Sequence, residues 1–128
     1  RGIGRGLMTE QNLEHIHDKM IRYLESQKVK IDRIYYCPHD NEKATCSCRK
    51  PNIGMALEAK KDFPEIDFQK SIMVGDSESD VIFGKSLNMI TVYFSNQTNS
   101  MSTTEIITDL VFKDLLEFSI TLKEAIAF

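Results

Sequence analysis

No apolar run in the 128 residues approaches the roughly 20 needed to span a bilayer. The opening residues contain no hydrophobic signal region either, so membrane insertion and secretion find no support and the cytoplasm is the expected compartment. Basic residues are not in excess. Sixteen Lys and Arg against 19 Asp and Glu leave a formal net charge of −3 and a pI near 5.6, which argues against a surface built to attract nucleic acid or anionic lipid. Cysteine is scarce and odd in number, three in all, so a disulfide framework is not expected in a reducing compartment. Internal repeats and low-complexity tracts are absent. What is present, 41% hydrophobic and 27% charged residues, suffices for one soluble domain over residues 1–128 that buries a core without staples. A monomer is expected.

Leu13, Ile16, Met20, Ile21 and Leu24 recur at helical spacing after an N-cap at Thr9, which predicts a helix to about Gln27. Ile31 to Tyr36 is short, β-branched and aromatic and reads as a strand delivering the chain to Cys37. Pro51 is placed to start a helix that continues to Lys61 and stops at Pro64. Ser71 to Gly75 has buried-strand character, Val81 to Leu87 is helical, and Ile90 to Phe94 is the next strand. A polar loop over Ser95–Thr104, a short strand Leu110–Phe112 and a helix Leu115–Ile126 complete the chain. Strands alternating with helices indicate an α/β, Rossmann-like fold. Its sheet is mostly parallel, with helices on both faces and ligands gathered at the strands' carboxyl ends.

Cys37, His39, Cys46 and Cys48 are confined to twelve positions, with six residues between His39 and Cys46. Three thiolates and an imidazole are the ligand set of a closed tetrahedral zinc site, which leaves no position for a catalytic water and makes the metal structural. Such a loop, residues 37–48, would be held rigid at the mouth of a site. Arg49 and Lys50 follow at once. A guanidinium and an ammonium fixed there suit a phosphoryl group, although taken alone the pair is equally at home as a solvated basic surface. Val74-Gly75-Asp76 runs a strand into a carboxylate, with Asp80 four residues on; Asp76 suits a magnesium ligand or merely turns the chain, and Ser77 or Asp80 suits a helix cap. His15 and His17, two apart on a helix, do not share a face and read as surface residues.

The order C-P-H, C-x-C-R-K-P and V-G-D-x-x-x-D resembles the haloacid dehalogenase superfamily, in particular its zinc-loop branch of D-glycero-D-manno-heptose 1,7-bisphosphate phosphatases and histidinol-phosphatases. Arg1 to Gly6 resembles the tail of the family's second motif loop. The resemblance implies zinc on Cys37, His39, Cys46 and Cys48, magnesium on Asp76, Lys50 as the catalytic lysine that stabilises the phosphoryl group, and Arg49, Ser77 and Arg1 near substrate. It also implies a magnesium-dependent phosphatase that works through a phosphoaspartyl intermediate. The family's nucleophile lies in an Asp-x-Asp motif on the first strand, and no Asp-x-Asp occurs here. The chain therefore reads as an N-terminally truncated domain whose first strand is absent and which does not turn over by itself.

The expected substrate is a small phosphorylated metabolite of carbohydrate metabolism, the heptose bisphosphate. The short zinc loop leaves histidinol phosphate as the alternative. A reading of another class is a zinc-stabilised protein that binds phosphorylated ligands without cleaving them. Lys50, Asp76 and Asp80 weigh against it, because binding alone has no chemical need for a lysine and a metal carboxylate together.

Overall fold

The computed structural model describes residues 2–40, 46–95 and 103–127. Helix α1 (Glu10–Ser26) begins at a capping box in which the Thr9 hydroxyl accepts from the Asn12 backbone N–H while the Asn12 side chain accepts from Thr9. Helix α2 is Gly54–Asp62. Then come strand β1 (Ile72–Gly75), helix α3 (Glu78–Ser86), strand β2 (Ile90–Phe94), the short helix α4 (Thr103–Ile107), strand β3 (Leu110–Phe112) and helix α5 (Leu115–Ile126).

The three strands form one parallel sheet in the order β1-β2-β3. Ile72 stands opposite Ile90, Gly75 opposite Tyr93, and Phe94 opposite Phe112. Parallel neighbours need a crossover. Helix α3 supplies the first and packs on both β1 and β2. Its Val81 and Phe83 are buried together with Val92 of β2 and Ala56 of α2, and Phe118 of α5 sits edge-on to Phe112 at 5.4 Å. Helix α3 ends where Asn88 takes a left-handed φ of 55°, a conformation Asn tolerates, and the Met89 N–H returns to the Gly84 carbonyl.

A polar latch closes the edge of the sheet opposite the strands' carboxyl ends. Thr91, fully buried, donates its backbone N–H and its hydroxyl to one Asp109 oxygen at 2.7 and 2.8 Å, and Lys85 of α3 pairs with the other. Three elements, α3, β2 and the start of β3, are thereby tied at one carboxylate.

Three expectations are corrected. Ile31–Tyr36 runs without regular secondary structure rather than as a strand, since no described segment offers it a ladder of backbone partners. It is held by side chains instead. Tyr35 donates its hydroxyl to Asp62 at 2.8 Å, and Tyr36 packs its ring against His17 of α1 with centroids 5.9 Å apart. Helix α2 starts at Gly54, three residues after Pro51, because residues 49–52 are spent on a turn closed by the Asn52 N–H on the Arg49 carbonyl. The expected polar loop lies partly in helix α4, and its residues 96–102 are outside the described residues.

Candidate active site

The extended segment that ends at Tyr36 delivers Cys37, and the turn before α2 delivers Cys46 and Cys48 to the same point. Their sulfurs and His39 Nδ1 all lie within 4.8 Å of one another. Cys37 Sγ is 3.0 Å from Cys48 Sγ and 3.4 Å from Cys46 Sγ, and His39 Nδ1 is 3.1 Å from Cys48 Sγ. Tetrahedral zinc with bonds of about 2.0–2.3 Å spaces its ligands about 3.3–3.8 Å apart, so the donor set fits that ion in chemistry, and its two closest contacts, at 3.0 and 3.1 Å, would widen to receive it. Burial pushes the Cys37 thiol up, but hydrogen bonds to the Cys48 thiol and the His39 backbone outweigh it and leave Cys37 below the usual thiol range. Burial and the neighbouring thiols push Cys48 up to about 12. A divalent cation binds the thiolate form of cysteine, so its entry would displace whatever protons these thiols hold.

Arg49 leaves the cluster and turns back on it, donating Nη2 to the His39 carbonyl at 2.8 Å. Its Nε is buried with no acceptor. Lys50, the next residue, forms an ion pair with Asp80 of α3. Asp80 is buried, 4% exposed, and its second oxygen accepts from the Ser77 hydroxyl at 2.7 Å and the Ser77 N–H at 3.3 Å. The Ser77-x-x-Asp80 spacing is thus a capping box for α3 as well as an anchor for Lys50. Burial alone would raise the Asp80 carboxyl, yet Lys50 and Ser77 outweigh it and hold the acid below the ordinary carboxylate range. Gly75 makes the approach possible, because a Cβ there would run into the Asp80 carboxylate.

Asp76 follows β1 directly, solvent-exposed at the strand's carboxyl end and free of hydrogen bonds and ion pairs among the described residues. A cleft of about 670 Å³ opens beside it, lined by Arg49, Lys50, Ser77, Ser79 and Cys37 and walled by Gly2, Ile3, Met8, Leu13, Tyr35, Tyr36 and Met55. The structure therefore brings Arg49, Lys50 and Ser77 together on one cleft with the Cys/His cluster at its rim, and leaves Asp76 adjacent through Ser77. Arg1 lies outside the described residues. The Lys50–Asp80 pairing was not legible from spacing, since thirty residues separate the partners; the only signal was the Ser-x-x-Asp spacing of the cap. Ser79, whose hydroxyl is 2.9 Å from that of Ser77, is a further cleft residue that carried no signal.

The parallel sheet thus carries a carboxylate, an ion-paired lysine and a Cys3His cluster toward its carboxyl edge, the arrangement the haloacid dehalogenase resemblance implies. Residues 47–118 match the HAD-hydrolase-like family, and the chain belongs to it. Among relatives, it is 38% identical over 96 residues to the D-glycero-alpha-D-manno-heptose-1,7-bisphosphate 7-phosphatase of Campylobacter jejuni, covering 75% of this chain and 54% of that one. It is 43% identical over 88 residues to the D-glycero-beta-D-manno-heptose-1,7-bisphosphate 7-phosphatase of Haemophilus influenzae, covering 65% and 47%. The fold superimposes on the crystal structure of D,D-heptose 1.7-bisphosphate phosphatase from B. bronchiseptica, complexed with magnesium and phosphate. The TM-score is 0.77 at 25% identity, over 97% of this chain and 70% of that one. The chain spans about half the length of the curated relatives it matches.

Proposed function

We propose that the complete protein is a magnesium-dependent phosphatase that removes a phosphate from D-glycero-D-manno-heptose 1,7-bisphosphate, a small metabolite. The observation that carries this reading is the Lys50–Asp80 ion pair in the cleft, which presents an oriented ammonium where a phosphoryl group can be received. Relatives that act on this sugar bisphosphate favour it over histidinol phosphate. They also favour an enzyme over a binding-only protein.

Each residue then has a chemical task. Lys50, restrained by Asp80, would meet the phosphoryl oxygens as a point charge, and Arg49, with Nη2 on the His39 carbonyl and Nε buried, has Nη1 left to offer substrate. Ser77, which shares the Asp80 carboxylate with Lys50, would contact substrate beside it, and Arg1 would add a charge from the opening loop. Asp76, an unengaged carboxylate at a strand end, would hold magnesium together with oxygen ligands from elsewhere. That ion supplies charge neutralisation on the transferring group. Cys37, His39, Cys46 and Cys48 would hold zinc in a structural role. The nucleophile belongs to an Asp-x-Asp strand that the 128 residues do not contain, so these residues by themselves are expected not to turn over.

The test is magnesium-dependent phosphate release by the complete protein, with heptose 1,7-bisphosphate and histidinol phosphate at equal concentration. We expect clear preference for the heptose, at kcat/KM of about 10⁴ M⁻¹s⁻¹ or better. Preference for histidinol phosphate would overturn the substrate, and release from neither would overturn the enzyme reading.

A further inference from the structure

The stretch from Cys46 to Gly54 folds back on the two metal ligands it contains. Asn52 donates its side-chain Nδ2 to the Cys46 carbonyl at 2.8 Å, and its backbone N–H donates to the Arg49 carbonyl at 2.9 Å. One step on, the Gly54 N–H donates to the Ser47 carbonyl at 2.9 Å, so close that a Cβ on Gly54 would collide with that oxygen. Arg49 and Lys50 sit in the bend these bonds close. Asn52 touches neither the cleft nor the four metal-binding atoms, yet its single amide joins the backbone of one ligand to the turn that carries both cations.

We propose that Asn52 is a positioning residue. It couples the metal cluster to the Arg49–Lys50 pair, so that loss of its amide donor weakens metal binding and misplaces both cations. The physical basis is that a residue orienting a metal ligand contributes to affinity without touching the ion, and that a small displacement of a binding group is felt in substrate recognition. A carbonyl oxygen accepts only from a donor, so aspartate at 52 keeps the shape of the side chain but loses the bond. The inference rests on the proposal above that the cluster holds zinc and that Lys50 and Arg49 receive the phosphorylated substrate.

The experiment compares the complete wild-type protein with Asn52→Ala, Asn52→Asp and Cys46→Ser. Zinc affinity is read by competition with a chromophoric chelator, and KM and kcat with heptose 1,7-bisphosphate. Asn52 is exposed at the surface, so both of its variants are expected to fold. We expect zinc affinity about tenfold weaker in both, and at saturating zinc a KM raised about fivefold with kcat lowered as well, because Lys50 acts on the transferring phosphoryl group. Unchanged zinc affinity, or weakened affinity with unchanged KM, overturns the coupling; a lower melting temperature alone would mark Asn52 as merely structural and overturns it too. Cys46→Ser separates the two levels. If it binds zinc like the wild type, the metal assignment itself fails; if it loses zinc while the Asn52 variants keep it, only the role of Asn52 fails.

Discussion

Lys50 and Asp80, thirty residues apart, form an ion pair that joins the turn after the Cys/His cluster to the first turn of α3. The ammonium is partly open to the cleft, with 37% of its side chain exposed, whereas the Asp80 side chain is 6% exposed. A buried carboxylate thus holds a partly accessible cation by its ammonium group. Because Ser77 occupies the other Asp80 oxygen, the carboxylate cannot swing away without giving up the helix cap.

Replacing Asp80 with Asn should therefore cost more than a surface ion pair. Asparagine keeps one oxygen for the Ser77 cap but turns an uncharged amide toward Lys50, and loss of the ion pair is expected to lower stability by about 1–2 kcal/mol. The check is urea unfolding followed by circular dichroism, with the slope of the transition unchanged.

The same carboxylate sets an acid limit. Its acidity is shifted below the usual range in the folded state, so its contribution is fully present above the unfolded value near 4 and is lost as pH falls through the lower folded value. Melting temperature recorded from pH 7 down to pH 2 should fall in that acid window, and the Asp80→Asn variant should show a shallower fall there. Identical acid limbs would remove Asp80 from the account.

At the far edge of the sheet, Asp109→Ala leaves the buried Thr91 N–H and hydroxyl without their acceptor. A loss of about 1–3 kcal/mol is expected. Amide exchange at Thr91 should accelerate in step, whereas unaltered protection would show that water replaces the carboxylate at no cost.

Zinc removal acts on the other side of the molecule. One equivalent of zinc per chain is expected, and stripping it with a strong chelator should lower the melting temperature reversibly. Because Cys48 is raised to about 12 in the metal-free cluster, metal uptake must expel protons, and apparent affinity should strengthen as pH rises from 6 to 8. Proton release on zinc addition, followed with an indicator dye, checks the sign.

Much of this was legible in the sequence. Helix α1 is announced by the Thr9 cap and the Leu13–Leu24 spacing, and β1, β2, β3 and α5 by compact apolar runs, because these signals are local. The Cys37–Cys48 cluster was legible for a different reason, since few side chains besides thiols and imidazoles at such spacing have a shared use. Ile31–Tyr36 has the composition of a strand but lacks the ladder, which composition cannot supply. Pro51 fits a helix start by propensity, yet the Asn52–Arg49 bond takes precedence and delays α2 to Gly54. The pairing of Lys50 with Asp80 and the clasp of Asn52 on Cys46 depend on how the chain returns in space, and no spacing encodes that.

The account turns on Asp76 and the cleft beside it acting in phosphoryl transfer. The most direct test is kcat/KM of the complete protein and its Asp76→Asn variant for heptose 1,7-bisphosphate, at saturating magnesium, with zinc content and melting temperature measured on the same samples. The account predicts a loss of about 10³-fold or more, with zinc and melting temperature unchanged. Activity near that of the wild type would contradict it.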